Sequence, residues 1–164
     1  MNPDLEIKSA TIEDVPLILS FIKKLAVYER LAHEAVATEE ILRETLFGER
    51  REAEVIIGYY QNKPVCFALF FHSFSTFLGR PGIYLEDLFV DEEQRGKGFG
   101  KALLVYLARL AVERDCGRLE WAVLNWNEPA IKFYQSLGAR PMDEWSVYRL
   151  TGETLKALAH TPQQ

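Results

Sequence analysis

Residues 84–101 read YLEDLFVDEEQRGKGFGK, and they decide the architecture. The first seven alternate as a strand, with Tyr84, Glu86, Leu88 and Val90 on one face and Leu85, Asp87 and Phe89 on the other. The last residues open a helix whose apolar positions are Ala102, Leu103, Leu107, Leu110 and Ala111. Between strand and helix stand Arg95 and three alternate glycines, Gly96, Gly98 and Gly100. A glycine-rich turn of this kind leaves backbone N–H groups unpaired at the positive end of a helix dipole. It is a site for a phosphate or pyrophosphate, with an ordinary glycine turn as the plainer alternative.

Spacing narrows the ligand. A mononucleotide P-loop needs Gly at position 95 and Ser or Thr at 102, where this chain has Arg95 and Ala102. A dinucleotide fingerprint starting at Gly96 needs Gly at 101, which is Lys101.

Composition bounds the rest. A chain of 164 residues, 48% hydrophobic and 26% charged, suits one soluble globular domain, expected over residues 1–160 with a polar tail at 161–164. A formal net charge of -5 gives no basic footprint for nucleic acid. The longest apolar stretch, residues 65–71, is too short to span a bilayer, and the N-terminus has no export pattern. Cys66 and Cys116 form no metal-type pair and read as reduced thiols, which points to the cytoplasm. His33, His72 and His160 have no mutual spacing that suggests a metal, so they read as surface residues and no metal site is expected.

In chain order, strands are expected at 5–8, 53–60, 65–72, 84–90, 118–124 and 145–150. A capping box at Thr11 and Asp14 opens a helix that buries Val15, Ile18, Leu19, Ile22, Leu25 and Ala26. Thr38 caps a second helix, which Gly48 stops. Residues 73–82 read as a loop. The long helix after the glycine turn reaches about Asp115. Asn127 caps a further helix that Gly138 ends, and residues 152–159 form a last one. The segment 84–124 is a β-α-β unit, so its strands are parallel, while the earlier hairpins are antiparallel. The fold class is α/β in the broad, mixed α+β sense: a mostly antiparallel sheet with helices on both faces.

The run Arg95-x-x-Gly98-x-Gly100 resembles the coenzyme A pyrophosphate loop of the GNAT acetyltransferase superfamily. Three segments resemble its diamine (spermidine/spermine) branch: LAVYE at 25–29, YLEDLFV at 84–90 and WNEPAIKFY at 126–134. The resemblance implies a sheet splayed at a parallel strand pair, with acetyl-CoA as co-substrate in the opening. It implies that the backbone of Leu88, Phe89 and Val90 pairs with the pantetheine arm. It places the pyrophosphate on Arg95, Gly96, Lys97, Gly98, Phe99, Gly100 and Lys101. Glu120, Trp121 and Ala122 would face the cofactor from the next strand, with Asn127, Glu128, Pro129 and Ala130 along it. Tyr134 matches the general acid, and Tyr28, Glu29 and Glu86 match positions lining the amine site. A homodimer is implied as well.

The implied chemistry is direct transfer to a primary amine. An alkylammonium has a pKa of about 10.4, so neutralising it at pH 7 costs about 4–5 kcal/mol. Glu86 and Glu29 can attract the cation and accept its proton, directly or through water. Glu86 on a core face is also compatible with a buried ion pair, for instance with Arg149, and Glu29 with a solvated helix charge. Tyr134 holds its phenolic proton at pH 7 and can donate it to a thiolate; its plainer reading is a core tyrosine.

The chain departs from the diamine enzymes before the central strand. There SFSTFLG, residues 73–79, carries no carboxylate, so a long polycation loses one anchor. Asp143 or Glu144 can supply an acid after the last Gly-Ala pair, and Glu144 is counted with the substrate residues. The loop looks more like branch members that prefer thialysine and other lysine-like amino acids, so the expected substrate is a small primary amine. A non-catalytic acetyl-CoA-binding module and a protein-lysine acetyltransferase stay open as alternatives.

Overall fold

The computed structural model describes residues 4–162. The chain falls into a first unit that runs through Leu124 and a second that starts at Asn125. The first holds strands β1 (Leu5–Ser9), β2 (Glu54–Tyr60), β3 (Lys63–Ser75), β4 (Arg80–Val90) and β5 (Leu119–Trp121). Its helices are α1 (Val15–Tyr28), α2 (Glu39–Phe47) and α3 (Phe99–Glu113). The second holds α4 (Glu128–Ser136) and α5 (Gly152–Ala159).

The strands form one sheet in the order β1-β2-β3-β4-β5. All neighbours are antiparallel except β4 and β5, which are parallel. Local chemistry explains the connections. Gln61 and Asn62 both take positive φ, +50 and +60, the two-residue turn that matches the twist of a hairpin. Thr38 Oγ1 accepts the Ile41 N–H at 3.2 Å and starts α2, a cap that contributes about 1 kcal/mol. Thr11 N–H donates to Asp14 Oδ2 at 2.8 Å, closing the capping box one short turn before α1.

Alternation along β3 assigns the helices to faces. Phe67 points to α1, where its ring stacks on Phe21 at 5.1 Å, and Phe89 of β4 joins the same cluster. Ring stacking of this kind contributes about 1 kcal/mol beyond burial. The neighbouring residues Cys66 and Ala68 pair with Val90 and Leu88, which look the other way, towards Gly100 of α3. Helices therefore cover both faces, α1 and α2 on one and α3 on the other. Phe21 is buried among the α1 residues although the helical reading leaves it out.

Four expectations need correction. The loop expected over 73–82 is mostly strand, because β3 runs to Ser75 and β4 starts at Arg80; only residues 76–79 turn. Ser75 is buried at that corner, and its Oγ accepts the Leu78 N–H at 3.2 Å. The strand expected over 118–124 shrinks to the three residues of β5. Residues 145–150 form no strand, and their alternating Trp145, Val147 and Arg149 are exposed. Alternation prepares a strand, but only a paired edge makes one.

The fourth correction concerns the faces of β4. Leu69 pairs with Asp87 and Phe70 with Leu85, so Glu86 is an extra residue in a β-bulge. The bulge shifts the alternation by one. Leu85 and Leu88 both face α3, while Tyr84, Asp87 and Phe89 face α1. Glu86 stands out of the ladder and is exposed, so it does not occupy a core face beside Tyr84 and Leu88.

Candidate active site

The bulge lies where the parallel pair comes apart. β4 pairs with β5 at Ile83, Tyr84 and Leu85, opposite Leu119, Glu120 and Trp121, and then continues to Val90 paired with β3 but no longer with β5. A bulge bends its strand and increases the twist. Glu86 follows the last pair directly, so the bend accounts for the parting. Beyond it, β4 offers backbone groups on its β5 side to an added partner.

The glycine turn sits at the end of this open strand. Gly96 and Gly98 have φ of +78 and +84, a region that other residues enter only with strain. The first helical bond of α3 runs from Ala102 N–H to Gly98 C=O at 3.0 Å. The N–H groups of Phe99, Gly100 and Lys101 precede it and lie at the positive end of a 15-residue helix. A Cβ on Gly96 or Gly98 would meet nothing within 4 Å, so the outer side of the turn is open. Arg95, Lys97 and Lys101 add positive charge, and all three are exposed. Donors, dipole and cations together suit a diphosphate.

Two of these cations are oriented. Arg95 Nε donates to the Val90 carbonyl at 3.1 Å, and its guanidinium lies 4.6 Å from the Tyr28 ring centre and 5.5 Å from that of Phe89. Lys97 Nζ donates to Gln94 Oε1 at 2.7 Å and stands over the Tyr60 ring at 5.3 Å. Arg95 thus brings the end of α1 together with the end of β4.

At that junction three carboxylates meet: Glu29 at the C-terminal end of α1, and Glu86 and Asp87 on β4. Burial, with Glu86 and then Glu29 adding like charge, pushes the Asp87 carboxyl up to about 6. Burial raises Glu29 too, with Glu86 as the second cause. Like charges gathered in this way attract a cation, whose arrival relieves their mutual repulsion.

On the facing strand Glu120 Oε1 accepts from Arg118 Nε at 2.7 Å, Trp121 is half-buried, and Ala122 is exposed just past the ladder. In the second unit Asn127 is buried and caps α4, its Oδ1 accepting the Ala130 N–H at 3.4 Å. Glu128 pairs with Lys132 at 2.8 Å on the outside of that helix, and Pro129 occupies its first turn. Tyr134 is half-buried with its ring tilted against Phe133 at 5.5 Å. Glu144 is exposed.

A model of the acetyltransferase (GNAT) family matches residues 24–139. The chain belongs to the GNAT acetyltransferases. Relatives bear this out along nearly the whole sequence. L-ornithine N5-acetyltransferase NATA1 of Arabidopsis thaliana is 35% identical over 93% of this chain and 86% of its own length. Thialysine N-epsilon-acetyltransferase of Bos taurus is 35% identical over 93% and 96%. The solved structure of an integron cassette protein from the V. cholerae mobile metagenome superposes with a TM-score of 0.81 at 32% identity, covering 96% and 99%. The two curated relatives fall in the branch to which the three motifs point, and the chain is an N-acetyltransferase.

In this GNAT acetyltransferase the first unit brings several of the expected site residues close together. Tyr28, Glu29, Glu86, Leu88, Phe89, Val90 and the turn from Arg95 to Lys101 all lie around the end of β4. The sequence reading left Asp87 out of the site, although it placed it on the face of Phe89, where the structure has it too.

Proposed function

We propose that this chain transfers the acetyl group of acetyl-CoA to a primary amine of a small cationic substrate. A thialysine- or lysine-like amino acid is the first choice and a di- or polyamine the second. The observation that carries the reading is the parting of β4 from β5 at the Glu86 bulge. It leaves an open strand end with a diphosphate-type glycine turn at its foot and three carboxylates beside it. The relatives' names, ornithine and thialysine acetyltransferases, support the amino-acid choice.

In this reading the turn from Arg95 to Lys101 holds the pyrophosphate through backbone N–H groups. The free side of residues 88–90 binds the pantetheine arm as an added strand. Glu120, Trp121, Ala122 and the start of α4 from Asn127 to Ala130 line the cofactor. Tyr28, Glu29, Glu86 and Glu144 line the amine. The neutral amine attacks the thioester carbon, a backbone N–H at the end of β4 stabilises the oxyanion, and Tyr134 protonates the departing thiolate. That residues 1–160 act as one catalytic domain belongs to the same reading. A cytoplasmic homodimer belongs to the same reading, and light scattering tests the dimer.

The deciding experiment follows thiol release from acetyl-CoA with ornithine, lysine, thialysine, putrescine and spermidine. Turnover should be fastest with the amino acids. Absence of release with every amine would overturn the reading.

A further inference from the structure

Within the amine-acetylation reading, on which this inference rests, we propose that the Arg95 side chain is a positioning residue for the amine site. It seats the Tyr28 ring against the end of β4, while the Arg95 backbone belongs to the cofactor turn. Its contacts tie two elements together. Nε donates to the Val90 carbonyl at 3.1 Å, and the guanidinium lies 4.6 Å from the Tyr28 ring centre and 5.5 Å from that of Phe89.

The carbonyl that Arg95 holds lies on the open edge of β4. Asp91 N–H donates to the Val65 carbonyl on the β3 side. Peptide groups of successive strand residues point to opposite sides, so the Val90 carbonyl points to the side that β5 has left. Phe89 and Tyr28 lie on the α1 face instead. Arg95 therefore wraps around the end of β4. It runs from the edge proposed for the pantetheine arm to the face where α1 ends in Tyr28 and its cap Glu29. A carbonyl oxygen has two lone pairs, so a pantetheine amide and the Arg95 Nε can share it.

The backbone of α1 is fixed without Arg95. Phe21 and Leu25 are buried, and Lys24 Nζ pairs with Asp91 at 2.8 Å. The Tyr28 ring differs: it ends the helix and is 37% exposed, so core packing does not select its rotamer. A planar guanidinium can lie over a ring while its Nε holds a carbonyl, which a lysine ammonium cannot reproduce. Charge alone predicts the opposite of a positioning role. Arg95 is a cation at the end of β4 where Glu29, Glu86 and Asp87 gather, so by electrostatics its removal should favour a cationic amine. Loss of the seat for Tyr28 should instead weaken the amine.

The test is a double-mutant cycle of Arg95→Lys and Tyr28→Leu, run with whichever of ornithine, lysine, thialysine, putrescine and spermidine turns over fastest. KM for the amine is measured at saturating acetyl-CoA. Its Kd is measured by calorimetric titration of the protein loaded with coenzyme A, which has no acetyl group to transfer. Arg95→Lys keeps the charge and should raise both constants about tenfold, with smaller changes in kcat and in acetyl-CoA affinity. Arg95→Met should raise them as well, where loss of a repelling cation would lower them. In the Tyr28→Leu protein the change to lysine at 95 should add little. Wild-type amine constants in Arg95→Lys overturn the assignment, and so does a tenfold rise that persists in the Tyr28→Leu protein. Loss of coenzyme A binding in Arg95→Lys would place the side chain in cofactor binding and overturn it too. A wild type inactive with every amine fails the functional reading instead, so the two failures are distinguishable.

Discussion

At Gly98 the backbone is left-handed, with φ +84, while two residues later Gly100 is ordinary helix. The two glycines therefore answer differently to the same change. An alanine Cβ at 98 would meet open space, so Gly98→Ala carries only backbone strain, about 1 kcal/mol. At 100 the Cβ would rest on Leu88 Cδ2 and Val90 Cγ2 at 3.8 Å, an ordinary contact, and Ala favours the helix. Thermal unfolding should show Gly98→Ala lowered by a few degrees and Gly100→Ala unchanged or raised. Equal losses in both would mean that the turn is not held as described. Tyr134→Phe removes one proton and little volume. If the phenol protonates the thiolate, kcat should fall about a hundredfold or more, while the acetyl-CoA Kd stays within a factor of two or so. Near-normal turnover would take Tyr134 out of the mechanism.

At the scale of the element, the bulge makes β4 serve two purposes. Removing Glu86 altogether would leave Leu69 on Asp87 and Phe70 on Leu85, a regular ladder with every register kept. The deletion should therefore fold. Without the bend, β4 should follow β5 further and narrow the opening. Acetyl-CoA affinity is expected to drop about tenfold or more in the deletion and to change little in Glu86→Ala, which keeps the bend. Calorimetric titration of both compares them directly, and equal affinities would separate the bulge from the opening. The bulge also marks how far the sequence could be read. The glycine turn, the Thr38 and Asn127 caps and the helical stripes are local signals, and each leads to the right element. A bulge without glycine leaves no local mark, so a strict period of two put Glu86 on a core face and exchanged the faces of Tyr84 and Leu85 relative to Leu88 and Phe89. The strand read at 145–150 fails for a related reason: alternation is local, but a strand needs a partner edge.

For the molecule as a whole, half-buried carboxylates give stability an uncommon dependence on pH. The Arg114 guanidinium grips Glu54 with two hydrogen bonds, 2.6 and 2.9 Å, and holds its carboxyl below the usual 4.5. That pair stabilises the fold above the unfolded value, and the effect is lost as pH falls through the folded one. Asp87 and Glu29 act in the opposite sense. Their folded carboxyls are raised, so ionising them costs the folded state more than the unfolded chain. For Asp87 the penalty is complete above about 6, shrinks as pH falls, and is gone below the ordinary 3.8. Urea unfolding should thus find the protein more stable near pH 5 than at pH 7, with a decline only in stronger acid. Asp87→Asn should gain up to about 3 kcal/mol at pH 7 and converge on the wild type near pH 4. Glu54→Gln should instead lower stability at pH 7 and soften the acid decline. If Asp87→Asn proved no more stable than the wild type at pH 7, the carboxyl would not be held high in the folded state.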